Sequence, residues 1–147
     1  MNIKKYFSFA KNVSGYSDFC GDKVSRHIGC VMIHRNRTIS VGWNISREHP
    51  VQKKYNKDRG FDTSISKNSL HAEMYALIKS EGLDIDWSKV KIFVYRELAD
   101  GSTAMAKPCI ACMQAIKDRG IKTAFYTTEN GYIKEVFGEK ERNFRQS

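Results

Sequence analysis

The sequence predicts an α/β fold in which helices pack on a mixed sheet. Three observations carry this expectation. Short β-branched and aromatic runs alternate with amphipathic stretches, cap and stop residues bound those stretches, and a hairpin signal falls near each end. No repeat, Ser/Gly linker or compositional break divides the 147 residues, so one domain spanning 1–147 is expected.

In chain order, residues 2–13 form a helix, with Ile3, Tyr6, Phe7, Ala10 and Val13 near one face. Ile28 to Ile33 and Thr38 to Trp43 are apolar runs separated by His34-Arg35-Asn36-Arg37, which reads as a hairpin. Residues 44–68 are polar with strong periodicity of neither kind. That is long for a loop in a compact domain, and such loops are usually functional or partly helical. Asn68 or Ser69 can cap the next helix, which carries Leu70, Met74, Leu77 and Ile78 on one stripe and stops at Gly82. Val90 to Tyr95 is a buried strand, and Arg96 to Lys107 a polar connection. Pro108 suits the first turn of a helix ending near Arg119-Gly120. Lys122 to Thr127 is a further strand, and Asn130-Gly131 turns it into a last one, Tyr132 to Phe137. Met74, Leu77, Ile116 and Ile121 belong to the core.

Charge narrows the function classes. The net charge is +9, and residues 1–67 hold thirteen Lys/Arg against five Asp/Glu, while residues 68–133 hold eight of each. A basic first half suits an anionic ligand, either a phosphorylated small molecule or nucleic acid; a solvated surface is the plain alternative. No apolar run approaches the roughly 20 residues of a membrane span, and no signal-peptide core follows Lys4-Lys5, so a cytoplasmic protein is expected.

Two fragments carry chemistry: His71-Ala72-Glu73 and Pro108-Cys109-Ile110-Ala111-Cys112, each at a predicted helix start. Cys109 and Cys112 share a helix face and can grip one ion, and thiolate with imidazole is a donor set that zinc prefers. If the fold joins the two helix starts, both aim positive dipole ends at the metal. Three protein ligands leave a fourth position for water, the pattern of a catalytic zinc site. Glu73 lies about 200° round a regular helix from His71, but near a fraying first turn it can reach that water as a proton shuttle. Cys20 and Cys30 lack such spacing and read as buried small apolar residues. Two other readings stay open: thiol exchange at Cys109/Cys112, and a structural zinc clasp closed by Cys30 or His49. His27 and His34 read as surface or hydrogen-bonded residues. His49 can line the site's rim or pack within its loop.

The order H-x-E…P-C-x-x-C resembles the cytidine/deoxycytidylate deaminase superfamily of zinc-dependent nucleobase deaminases, over most of the chain. Gly42-Trp43-Asn44 is similar to the segment before the metal helix in deoxycytidylate and tRNA adenosine deaminases. His71-Ala72-Glu73-Met74-x-Ala76-Leu77 is similar to that helix itself. The resemblance implies a cytidine-deaminase-like three-layer fold, a five-stranded mixed sheet with helices on both faces. It implies one Zn2+ per chain on His71, Cys109 and Cys112, with Glu73 moving a proton from activated water to the ring nitrogen beside C4 as ammonia leaves. It also implies Asn44 at the sugar, main-chain groups of Ala72, Met105, Ala106 and Lys107 at the base edge, and a homo-oligomer. Tyr126 can line the base pocket or pack in the core.

Two departures matter. Only 20 residues follow Thr127, so an antiparallel fifth strand is expected, as in free-cytidine deaminases; those, however, normally carry Cys at the position of His71. Arg47 to Lys67 holds six Lys/Arg against three acids, with Tyr55 and Phe61 interleaved. Lys53, Lys54, Tyr55, Lys57 and Arg59 can clamp a phosphate, track a nucleic-acid backbone or simply be solvated. Three functions are therefore carried forward. The first is deamination of a cytosine-type base in a free nucleotide such as deoxycytidylate. The second is deamination within tRNA or single-stranded nucleic acid, and the third is a non-catalytic zinc-stabilised nucleic-acid-binding module.

Overall fold

The structure, a computed structural model, describes residues 1–17, 27–58 and 69–138. The first half contains helix α1 (Ile3–Ser14), strands β1 (His27–His34), β2 (Arg37–Trp43) and β3 (Ile45–Glu48), helix α2 (Pro50–Asp58) and the short strand β4 (Ser69–Leu70). The second half contains α3 (Ala72–Lys79), a 3-10 turn at Trp87–Lys89, β5 (Val90–Glu97), α4 (Ile110–Arg119), β6 (Thr123–Thr128) and β7 (Gly131–Val136). No helix among the described residues is long and apolar enough to cross a membrane.

Five strands form one mixed sheet in the order β2-β1-β5-β6-β7. Only β5 and β6 run parallel within it, joined through α4 in the manner of a βαβ crossover; β6 and β7 are antiparallel, as expected. Arg35 and Asn36 both take positive φ (51° and 66°) between His34 and Arg37, the backbone of a tight two-residue hairpin turn. Strand alternation divides the core in two. Val31, Ile33, Phe93, Tyr95 and Phe125 pack under α1 with Tyr6, Ala10 and Val13. Cys30, Met32, Ile92, Val94, Ala124 and Tyr126 pack under α3 and α4 with Met74, Leu77, Ile116 and Ile121. The result is the expected three-layer sandwich.

The structure refines one sequence expectation and departs from three. The long polar stretch, expected to be functional or partly helical, is helical in part: β3 pairs with β4, and α2 follows, with Pro50 at its first position and the His49 imidazole accepting the Val51 N–H at 3.2 Å. The periodicity of α2 is hidden because its buried face is polar, made of Gln52 and Asn56. Ser69 does not cap α3: Ser69 and Leu70 are committed to the β3–β4 ribbon, and His71 is the cap; Asn68, the other candidate, lies outside the described residues. Pro108 lies just before α4 rather than in its first turn, since Cys109 is the cap. The last turn is Glu129-Asn130, with Gly131 already paired to Thr128.

Gly42 sets how closely α3 approaches the sheet. A Cβ there would meet the Ala72 carbonyl oxygen at 2.2 Å and the Ala76 nitrogen at 2.7 Å, both backbone atoms that cannot turn aside. Gly42→Ala should therefore lower stability by about 1–3 kcal/mol in urea unfolding, whereas Gly82→Ala, with nothing within 4 Å, should stay within about 0.5 kcal/mol of wild type. Equal stability of the two variants would contradict the close approach.

Candidate active site

Two helix starts meet on one face of the sheet. Ile45 pairs with Leu70, and continuing that register sets Asn44 opposite His71. His71 has extended backbone (φ −78°, ψ 156°) and leads into α3, its carbonyl accepting the Tyr75 N–H at 3.0 Å. Cys109 (φ −64°, ψ 167°) does the same for α4, and its sulfur accepts the Cys112 N–H at 3.4 Å as a side-chain cap. The connection before Cys109 is pinned to both parallel strands. The Ala104 N–H reaches the Arg96 carbonyl at 3.1 Å, and the Ala106 N–H reaches that of Thr127 at 2.9 Å. Because His71 lies outside the helix, the 200° separation of a regular helix does not apply, and Glu73 is near enough for its charge and that of His71 to act on each other.

His71, Cys109 and Cys112 offer three donor atoms all within 4.8 Å of one another. His71 Nδ1 is 3.6 Å from the Cys109 sulfur and 3.2 Å from that of Cys112. Tetrahedral zinc with bonds of 2.0–2.3 Å requires nitrogen–sulfur separations of about 3.5 Å, so the donor set and its spacing fit that ion. Cys30 and His49, the candidate fourth ligands, do not join the group: Cys30 is buried in the core beneath α3, and His49 caps α2. His27 and His34 sit at the two ends of β1, also outside it.

Burial and the helix ends set the electrostatics. Glu73 is buried, and desolvation pushes its carboxyl from 4.5 to about 7, against the opposing pull of His71. The Cys109 thiol is pulled down to about 4 by the hydrogen bond from Cys112 and by His71, while Cys112 is held well above the ordinary thiol value by that same bond and by burial. Binding of a divalent cation would take both sulfurs as thiolates and release the proton that burial favours on Cys112. Burial pulls the His71 imidazole down, but the Cys109 bond and the charges of Glu73 and Cys109 outweigh it, for a net rise.

Other expected residues fall in several places. Asn44 is buried, its Oδ1 accepting the Ile28 N–H at 3.0 Å. Ala72 is fully buried at the first turn of α3, over Gly42. Met105 is exposed, with its carbonyl accepting from Arg96 Nη1 at 3.4 Å; the Ala106 N–H is spent on Thr127, and Lys107 pairs with Glu135 at 3.7 Å. The Tyr126 hydroxyl donates to Glu135 at 3.0 Å, and its ring packs in the core, so the core role is the one observed. Burial and the Glu135 carboxylate push that phenol up to about 12. Tyr55 donates to Asp118 at 3.1 Å and, with Lys54, lines a cleft of about 520 Å³ on the outer side of α2, α3 and α4, whose lining includes no member of the tripod. Lys53 and Lys57 are exposed on α2; Arg59, Phe61 and Cys20 lie outside the described residues.

Sequence reasoning missed Gln52. It is fully buried, its Oε1 accepts the His71 N–H at 3.1 Å, and its Nε2 lies 3.1 Å from Asn56 Oδ1 and 3.8 Å from the Cys112 sulfur. The available signal was a polar pair four apart, Gln52 and Asn56, just after a proline suited to a helix start.

The raised Glu73 carboxyl makes a signed prediction for the metal-free protein. The folded state holds the proton between pH 4.5 and about 7 while the unfolded chain releases it, so folding stability falls as pH rises through that window. Relative to wild type, metal-free Glu73→Gln should gain on the order of 3 kcal/mol from pH 4.5 to pH 7.5 in urea titrations. A difference that does not change with pH would contradict the burial argument.

Comparison with known proteins agrees with this geometry. The family model for the cytidine and deoxycytidylate deaminase zinc-binding region matches residues 1–128. Among solved structures, cytidine deaminase from Burkholderia pseudomallei aligns with a TM-score of 0.64 at 16% identity over 95% of each chain. The dCMP deaminase of cyanophage S-TIM5 aligns in its apo form with a TM-score of 0.55 at 20% identity, over 86% of this chain and 82% of that one; it has also been solved with dCMP and dUMP. A mutant cytidine deaminase from Mycobacterium tuberculosis gives 0.56 at 13% identity, over 95% and 94%. No curated protein matches. At such identities the structural likeness speaks for the fold, and the family model, covering most of the chain, supplies the kinship: this protein belongs to the cytidine and deoxycytidylate deaminase family.

Proposed function

We propose that the protein hydrolyses the exocyclic amine of a cytosine-type base in a free nucleotide, giving the uracil product and ammonia. The observation that carries this reading is the meeting of His71, Cys109 and Cys112 in a chain whose Glu73, two residues from the imidazole, is buried and poised near neutrality. His71 Nδ1 and the two sulfurs would hold one zinc ion, which when bound lowers the pKa of water enough to make hydroxide available at neutral pH.

The chain's own groups do the rest. A carboxyl that titrates near 7 can take a proton from attacking water and return it to the ring nitrogen beside C4, because neither direction is strongly uphill at the working pH. Desolvation is what gives it that balance. Asn44, buried at the end of β2 and opposite His71, would hold the sugar. The main chain of Ala72, in the first turn of α3 where N–H groups lack helical partners, and that of Met105 and Lys107 would meet the base edge. The Ala106 N–H has no part in this, being bonded to Thr127.

The basic first half and the known ligands of the S-TIM5 enzyme, dCMP and dUMP, support a phosphorylated substrate. On α2, Gln52 and Asn56 form the buried face, Gln52 reaching His71 and Cys112, and the exposed Lys53 and Lys57 lie together on one side of that face, roughly 80° and 120° round the helix. Lys53 and Lys57 are thus the cations suited to a substrate phosphate, with Lys54 turned to the outer cleft beside Tyr55.

An ammonia-release screen over cytidine, deoxycytidine, their monophosphates and a short single-stranded oligonucleotide tests the proposal. The monophosphates should be turned over fastest, and Glu73→Gln should lose about 10²–10⁴-fold in kcat while keeping its zinc. Turnover confined to the oligonucleotide would transfer the activity to polynucleotides. No turnover anywhere would leave a zinc-stabilised binding module. Joint Lys53→Glu and Lys57→Glu substitution should raise KM for a monophosphate about tenfold and spare the nucleoside, with Lys54→Glu selective for neither. Equal effects on nucleoside and nucleotide would remove α2 from phosphate recognition.

A further inference from the structure

The two sulfurs of the tripod are served by different donors. The Cys109 sulfur receives the Cys112 N–H at the start of α4. The Cys112 side chain is fully buried among Met74, Ala76, Ile116 and other apolar groups, where an anionic sulfur without a donor would be strongly disfavoured. Besides the other two members of the tripod, His71 and Cys109, the side chain that reaches this sulfur among the described residues is Gln52, from a helix outside both motifs.

The orientation of the Gln52 amide follows from its neighbours. The His71 main-chain N–H can only donate, so Oε1 must face it, at 3.1 Å. Nε2 then carries two hydrogens, one for Asn56 Oδ1 at 3.1 Å and one for the Cys112 sulfur at 3.8 Å. As a protonated thiol Cys112 can also donate to Oε1, at 4.0 Å; as a thiolate it can only accept, and Nε2 is then the group that serves it. Flipping the amide would set NH2 against N–H at one end and leave an oxygen facing oxygen and sulfur at the other. One planar group thus ties the backbone of one ligand to the side chain of another.

We propose that Gln52 is a positioning residue of the metal centre: it fixes the His71 backbone against the Cys112 sulfur and donates a hydrogen bond to that sulfur as a thiolate. It acts through the ligands and touches no substrate. This rests on the reading of His71, Cys109 and Cys112 as a zinc site. A donor to a thiolate draws charge from the sulfur, which keeps the ion electrophilic and the ligand in place.

Two variants separate this role from packing. Gln52→Met keeps volume and removes all three hydrogen bonds. Gln52→Glu keeps the acceptor for the His71 N–H and turns an oxygen toward the sulfur. Zinc affinity by chelator competition should fall about ten- to a hundredfold in each variant. In cobalt-substituted protein the sulfur-to-metal charge-transfer band should shift from that of wild type, and at saturating zinc kcat should fall while KM holds. Unchanged affinity and an unchanged band in Gln52→Glu, whatever the change in thermal stability, would overturn the proposal and leave the zinc reading intact. Failure of the wild-type protein to take up one zinc or cobalt per chain would overturn the zinc reading itself, and the proposal with it.

Discussion

Everything in this molecule that bears on chemistry depends on two helices starting at the same place. His71 and Cys109 each occupy the extended residue before a helix, where the side chain is free of the helical stack and the following N–H groups point outward. That choice turns two ends with unmatched donors into a positively biased corner, and fills it with an imidazole and two sulfurs. The rest of the architecture serves the meeting. Gly42 lets α3 press on the sheet, and the parallel β5–β6 pair holds the segment that leads to Cys109.

Burial gives the corner its chemistry. A carboxyl at the surface would be a weak base at neutral pH; Glu73 is a balanced one because water is excluded around it. The same exclusion makes the sulfurs dependent on donors: a helix-start N–H for Cys109 and a side-chain amide for Cys112. A site of this kind is stable only when its charges are matched, so the metal-free state should be the strained one. Folding and metal uptake are therefore linked through the same few groups.

The sheet and its two principal helices were legible in the sequence because their apolar patterns are clear: a nearly continuous buried run at Val90–Tyr95, a period of 2 for Thr38–Trp43, and one near 3.6 for the stripe through Met74 and Leu77. The tripod and Glu73 were legible as a motif, since the spacing of Cys109 and Cys112 has few other uses. What was not legible is what the tripod imposes on its surroundings. Helix α2 hides from a hydrophobicity pattern because it turns Gln52 and Asn56 inward, toward polar partners that only the fold supplies. The cap of α3 moved from Ser69 to His71 because β-pairing holds Ser69 and Leu70, and α4 begins after Pro108 because the Cys109 sulfur caps it. Tyr126 and Tyr55 look like base-stacking aromatics in sequence, yet their hydroxyls are tied to Glu135 and Asp118.

Zinc-edge X-ray absorption of the purified, metal-loaded protein tests the central claim most directly. Two sulfur and two nitrogen or oxygen scatterers around one ion per chain are expected, one of the latter being the His71 imidazole and the other exchangeable with solvent. A third sulfur, or a second protein nitrogen in place of the exchangeable ligand, would mean a closed structural site and would contradict a hydrolytic centre built on these two helix starts.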